Sequence, residues 1–92
     1  MTAPAVVPTT AARILDVLRD VTGDAEIAAD PDVALFDAGL LDSLGVVSLL
    51  VAFEQAFGLT ISPADIDRAA WATPRLLVAD VERRLAAGGA GR

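Results

Sequence analysis

The sequence contains no cysteine and no histidine. The chain therefore has no thiolate nucleophile, no disulfide, no Cys/His zinc site and no imidazole to activate a serine. Any thioester or nucleophilic chemistry must use a group supplied from elsewhere. A hydrolytic enzyme built on a serine fails for the same reason, because no base is available to it.

Aromatic residues are also scarce, at 4% of the chain, although 54% of the residues are hydrophobic and many of these are alanine. This composition favours closely packed helices over a sheet of β-branched and aromatic strands. A chain of 92 residues is long enough for one small core. We therefore predict a single all-α domain at residues 9–87, between flexible ends at residues 1–8 and 88–92.

Positive charge is limited to seven arginines against thirteen acids, which gives a net charge of -6. The domain as a whole should repel nucleic acid and anionic membrane surfaces and favour basic protein partners. Its most apolar run, residues 44–53, is about half as long as a bilayer span requires. No secretory signal pattern is found at the N-terminus. We expect a cytoplasmic monomer that neither binds nucleic acid nor inserts into a membrane.

Capping residues and apolar spacing predict two long helices in the first part of the chain. The first begins at Thr9 or Thr10 and ends at Gly23. The second runs over residues 43–57 behind an Asp42 cap and stops at the glycine that follows. The residues predicted to face the core are Ile14, Val17, Leu18 and Val21 in the first helix and Val46, Val47, Leu49, Leu50, Phe53 and Phe57 in the second.

Two further helix starts follow, each with a capping hydroxyl and a proline at the first helical position. Ser62-Pro63-Ala64-Asp65 predicts a short third helix, and Thr73-Pro74 predicts a long fourth helix. Trp71 is predicted to fill the core between them, with partner recognition as the alternative role. The core face of the fourth helix comprises Leu77, Val81 and Leu85.

The loop at residues 24–42 is long for a compact domain, and such loops are usually functional or anchored by their own side chains. Its acids do not match the spacing of an EF-hand, so we predict a solvated acidic loop and no metal site. The predicted anchors are Leu35, Phe36, Leu40 and Leu41, and the acids are Asp24, Glu26, Asp30 and Asp32.

Ser43 has two interpretations, a helix cap or a site of modification. Asp42 alone suffices as the cap, which leaves the Ser43 hydroxyl free at the first helical position. The unpaired N–H groups and the positive end of the helix dipole favour a phosphate at that position. Leu44 and Val51 are predicted to lie exposed beside Ser43, as expected for a docking surface.

The residues Asp37 and Gly39-Leu40-Leu41-Asp42-Ser43-Leu44 resemble the attachment motif of acyl and peptidyl carrier proteins. In that family the serine receives 4′-phosphopantetheine from coenzyme A. Helix order, the long first loop and the short third helix extend the resemblance over nearly the whole chain. It implies a four-helix carrier bundle in which an arm on Ser43 supplies the missing thiol. A helical adaptor without an arm remains the alternative.

The resemblance also implies a protein without catalytic activity that acts with a phosphopantetheinyl transferase, an adenylating ligase and an acyltransferase or synthase. Fatty-acid carriers usually place acids on the second helix, where this chain is mostly uncharged. Docking should therefore depend more on apolar fit than on charge. The predicted docking residues are Leu44, Gly45, Ser48, Val51 and Gln55.

The stretch DRAAWATP at residues 67–74 resembles that of stand-alone D-alanyl carrier proteins. Similar free-standing aminoacyl carriers serve polyketide, macrolactam and nonribosomal peptide pathways. Ile66 departs from the aromatic residue expected in the D-alanyl group, and the lack of lysine and asparagine suggests the GC-rich coding of antibiotic-producing actinobacteria. We therefore predict an aminoacyl or acyl carrier of a specialised-metabolite pathway, with D-alanylation of cell-wall teichoic acid as the alternative.

Overall fold

The structure is a computed structural model and describes residues 9–88. Within that range it contains three α-helices, three short 3-10 helices and no strand, so the all-α prediction is confirmed. The predicted flexible ends lie outside the described residues except for Gly88, and the domain bounds stay a prediction. The α-helices are α1 (Thr10–Thr22), α2 (Ser43–Phe57) and α3 (Pro74–Ala86).

The ends of the α-helices follow from local sequence signals. The hydroxyls of Thr9 and Thr73 and the carboxylate of Asp42 each accept the backbone N–H three residues on, at 3.0, 3.2 and 2.8 Å. Helices α1 and α2 end at Gly23 and Gly58, which adopt φ values of 72° and 67°. These left-handed conformations suit glycine because it has no Cβ. The predicted bounds of both helices are confirmed.

The short third helix takes the form of two 3-10 helices, Pro63–Asp65 and Arg68–Trp71. The Ser62 hydroxyl accepts the N–H only two residues on, which closes a tight turn rather than an α-helical turn. Ile66 and Asp67 are extended, with ψ values of 126° and 118°, so the two turns do not merge. The described part of the chain therefore has three α-helices, and this pair of 3-10 helices lies beside α2.

The core is centred on Trp71, which is fully buried, as the sequence predicted. Its ring meets Phe53 edge to face, with the centroids 6.0 Å apart. Its indole Nε1 donates a hydrogen bond of 2.8 Å to Asp80, a buried carboxylate that the sequence analysis did not identify. The other buried hydrophobic residues are Ile14, Leu18, Ile27, Leu35, Leu41, Leu49, Leu50, Leu59, Ile61, Leu77 and Val81.

The prediction that Val47 faces the core is wrong, because its side chain is 50% exposed. Leu49, Leu50 and Phe53 are the buried residues of α2. The segment that packs beside Val47 is the short 3-10 helix that begins at Pro63. It leaves an open groove on each side of the valine. A full α-helix in that position would cover more of α2.

No helix in the described part of the chain has both the length and the apolarity of a membrane span.

Candidate functional site

Ser43 is the first residue of α2, and its side chain is exposed. The cap is Asp42, whose carboxylate accepts the N–H of Gly45 at 2.8 Å. The Ser43 hydroxyl makes no hydrogen bond to another described residue, so it does not take part in capping α2. This is the arrangement that the sequence predicted for these two residues.

The loop that leads to Ser43 is anchored to the start of α3. Leu35 is fully buried, and its N–H donates to the carbonyl of Ala72 at 2.8 Å. The Leu35 carbonyl in turn accepts the N–H groups of Leu40 and Leu41, at 2.9 and 3.1 Å. Because Leu41 is also buried, the backbone is fixed at the residue just before the cap. The loop anchors were predicted from the sequence, although the buried Ile27 was missed.

The acids of this loop are not grouped into a cluster that could hold a metal ion. Within residues 9–88 no group of three or more His, Cys, Asp and Glu side chains is placed to hold a metal ion. One acid, Asp32, instead binds the exposed Arg75 of α3, with Oδ1 to Nε at 2.9 Å. The hydrogen bond and the charge of Arg75 lower the pKa of Asp32 below its ordinary value.

An open groove of about 330 Å³ begins at Ser43 and runs between α2 and the two 3-10 helices. Arg68 is one of its lining residues, and its Cζ lies 4.1 Å from the centroid of the Phe36 ring. The groove has room for a phosphate on the hydroxyl and for the beginning of a flexible arm. It is lined by Phe36, Ser43, Val46, Val47, Pro63, Ile66 and Arg68.

Four of the five predicted docking residues share one exposed face of α2. Leu44 is 75% exposed and Val51 is 49% exposed, and Ser48 and Gln55 lie on the same face with their side chains in solvent. Val47, which the sequence analysis placed in the core, adds a further apolar side chain next to this face. Together Leu44, Val47 and Val51 form an exposed apolar patch beside Ser43, and we call these three residues the α2 patch.

Gly45, the fifth predicted docking residue, is half buried against the loop. A Cβ at this position would lie 3.0 Å from Cδ1 of Leu41 and 3.4 Å from Oδ1 of Asp42. Such contacts are tight against a buried leucine and against the cap of α2. Any side chain at this position would therefore require a small shift of its neighbours, and the role of Gly45 in docking stays a prediction.

The stacked pair of Phe36 and Arg68 is not predicted from the sequence. The sequence predicts Phe36 only as a loop anchor, and Arg68 enters only through the DRAAWATP stretch. One signal was present, since Arg68 is the only cation between Arg19 and Arg75. An isolated positive charge in an acidic chain is a reason to ask what it contacts.

The geometry defines a helical protein with a free hydroxyl at a helix start, beside a groove and an apolar patch. A family model described as a phosphopantetheine attachment site matches residues 12–81. The chain therefore belongs to the phosphopantetheine-binding carrier proteins. Members of this family carry 4′-phosphopantetheine covalently, and the chain is a non-catalytic carrier that acts with partner enzymes.

Curated relatives give a finer comparison. The D-alanyl carrier protein of Enterococcus faecalis is 42% identical over 69 residues, which cover 75% of this chain and 88% of that protein. The D-alanyl carrier protein of Bacillus velezensis is 45% identical over 65 residues, 71% of this chain and 83% of that protein. That of Lacticaseibacillus casei is 40% identical over 70 residues, 76% of this chain and 86% of that protein. These relatives favour the D-alanyl alternative over the polyketide or nonribosomal peptide pathway.

Proposed function

We propose that Ser43 is the residue that carries the 4′-phosphopantetheine arm. The observation that supports this most directly is the exposed hydroxyl at the first position of α2, left free because Asp42 caps the helix. The N–H groups and the dipole at this end of α2 stabilise the negative charge of a phosphodiester. The arm supplies the thiol on which a cargo is held as a thioester.

We propose further that the cargo is an amino acid, and that D-alanine is the first candidate. The support comes from the DRAAWATP stretch and from the D-alanyl carriers to which the chain is similar. An adenylating ligase in the cytoplasm loads the holo protein, and a second enzyme takes the aminoacyl group from it. Tethering gives each enzyme a high local concentration of the cargo.

The test starts from the apo protein with coenzyme A, magnesium and a broad-specificity phosphopantetheinyl transferase. Intact-protein mass spectrometry should record the addition of one phosphopantetheinyl group. The holo protein is then offered to a D-alanine-activating ligase with D-alanine, L-alanine or a panel of other amino acids. Loading of D-alanine supports the proposal, whereas a modified protein that accepts only other amino acids from other ligases supports the specialised-metabolite alternative. An unmodified wild-type protein supports the adaptor alternative.

Replacing Val51 with aspartate should reduce loading by the cognate ligase at least about tenfold, which corresponds to about 1.4 kcal/mol. The reason is that a charge would be buried in the apolar contact formed by the α2 patch. Because half of the Val51 side chain is already exposed, the helical circular dichroism of the variant should match the wild type. Steady-state loading of the two holo proteins measures the effect.

Leu76→Asp provides the matched control for Val51→Asp. Leu76 is an exposed aliphatic residue of α3, at 45% exposure, and it is not part of the α2 patch. This variant should load at the wild-type rate. Equal loss of loading in both variants would show that added negative charge, rather than the α2 patch, controls the encounter. Loss of helicity in Val51→Asp would show that Val51 contributes to the core.

A further inference from the structure

Arg68 stands out because its guanidinium is positioned by an aromatic ring and because Arg68 lines the same groove as Ser43. Its Cζ lies 4.1 Å from the centroid of the Phe36 ring, within the range of a cation–π interaction. Phe36 itself belongs to the loop that is anchored through Leu35 to the start of α3. The ring thus holds the guanidinium against a part of the fold that is fixed by backbone hydrogen bonds.

The hydrogen-bonding capacity of Arg68 is unused within residues 9–88. Arg68 donates no hydrogen bond to a described residue, although a guanidinium has five N–H donors. Asp37 shares an adjacent cavity of about 220 Å³ with Arg68, but the two form no salt bridge. The other described arginines all have an oxygen partner: Arg19 binds Asp16, Arg75 binds Asp32, Arg83 and Arg84 bind Asp80, and Arg13 donates to the carbonyl of Ala56.

We propose that Arg68 donates hydrogen bonds to the phosphate oxygens of the arm on Ser43 and so holds the first part of the arm along the groove. This inference rests on the proposed attachment at Ser43. The phosphorus is bonded to the serine oxygen, so the phosphate must lie at the mouth of the groove that both residues line. A planar guanidinium matches phosphate oxygens better than an ammonium group does.

The proposed contact accounts for the isolated positive charge of Arg68, which has no oxygen partner among the described residues. The chain carries a net charge of -6, and Arg68 is its only cation between Arg19 and Arg75. The N-terminus of α2 stabilises the same phosphate through backbone N–H groups, so the guanidinium adds a second set of donors. Arg68 is a positioning residue on this account. It orients the arm, and the thiol at the far end of the arm remains free to reach a partner enzyme.

The test compares apo and holo protein by NMR, after mass spectrometry has shown that the holo protein carries the arm. In the wild type, conversion to the holo form should shift the Nε–Hε cross-peak of Arg68. In the Arg68→Gln holo protein the ³¹P resonance should move from its wild-type position. Arg68→Lys should restore that position only in part, because lysine keeps the charge and loses the planar fork. High salt should reduce the wild-type Nε–Hε shift.

Arg13→Gln is the matched control. Arg13 is stacked on Phe57 at the other end of α2, with its Cζ 4.5 Å from the ring centroid. Its replacement should leave the ³¹P resonance of the holo protein unchanged, and its own Nε–Hε cross-peak should not respond to the arm. Amide spectra of the apo variants establish that each one folds.

The outcomes distinguish failure of the Arg68 contact from failure of the proposed attachment at Ser43. A holo protein whose Arg68 cross-peak and ³¹P resonance are unaffected, in the wild type and in Arg68→Gln, overturns the contact while the attachment at Ser43 stands. Slower modification of Arg68→Gln by the transferase with an unchanged holo ³¹P spectrum also overturns it, and assigns Arg68 to the transferase interface. A wild-type protein that gains no mass refutes the proposed function instead.

Discussion

Replacing Ser43 with alanine is expected to reduce phosphopantetheinylation to background, and with it all loading of an amino acid. The loss should be complete because the hydroxyl oxygen is the atom that bonds to phosphorus, and the chain has no cysteine to take its place. The fold should be unchanged. Ser43 is exposed, alanine is a good helix former, and the cap formed by Asp42 remains. Intact mass before and after incubation with coenzyme A and the transferase measures the effect.

Thr10→Ala is the control for this experiment. Thr10 is the exposed first residue of α1 and follows a cap formed by Thr9, so it matches the position of Ser43 on another helix. Its replacement should leave the mass gain intact. Should Ser43→Ala still acquire one phosphopantetheinyl group, the attachment site would be another hydroxyl, and peptide mapping would locate it. Retention of partner function by Ser43→Ala would favour an adaptor without an arm.

The parts of this site that could be predicted from the sequence depend on local chemistry. The cap at Asp42 needs only the backbone N–H three residues on, and the stop at Gly58 needs only a residue that tolerates positive φ. The exposure of Leu44 and Val51 followed from their angular position on α2. These signals predict an exposed Ser43 and an exposed face of α2 that carries Leu44 and Val51, and the use of that face for docking stays a prediction.

The parts that could not be predicted depend on contacts between distant segments. Val47 has the spacing of a core residue. It is exposed because the segment packed beside it consists of two short 3-10 helices, which cover less of α2 than an α-helix would. The stacking of Arg68 on Phe36 joins a loop before α2 to a turn after it. Gly45 is predicted on the docking face from its sequence position, but its surroundings are set by Leu41. In each case the surroundings of the residue depend on tertiary packing that the local pattern does not encode.

The buried carboxylate of Asp80 is the second place where a single change should have a large effect. Its Oδ2 accepts from Trp71 Nε1 and from Arg84 Nε, each at 2.8 Å, and its Oδ1 binds Arg83. Asp80→Asn should lower the free energy of unfolding at pH 7 by roughly 2 to 3 kcal/mol, because it weakens charge-assisted hydrogen bonds at a buried position. For a domain of this size the melting temperature should fall by roughly 10 to 20 °C.

Thermal or urea unfolding followed by circular dichroism measures this loss. Asp32→Asn is the matched control, because it breaks an Asp–Arg pair in which both side chains are exposed, and it should change stability little. Trp71→Phe removes the indole donor and keeps an aromatic ring. In a double-mutant cycle its cost should be smaller in the Asp80→Asn background than in the wild type. Additive costs would show that the indole and the carboxylate are not coupled.

The same carboxylate should make stability fall at acid pH. Burial raises the pKa of Asp80, but hydrogen bonds from Arg84 and Trp71 and the charges of Arg84 and Arg83 outweigh it and hold the pKa below the ordinary 3.8. As the pH falls, Asp80 is therefore protonated in the unfolded chain at a higher pH than in the folded protein. The contribution of Asp80 is present above about pH 4 and is lost as the pH falls through its folded-state pKa. Urea unfolding from pH 7 to pH 3 should show a smaller decline for Asp80→Asn than for the wild type, and parallel declines would place the acid sensitivity in other carboxylates.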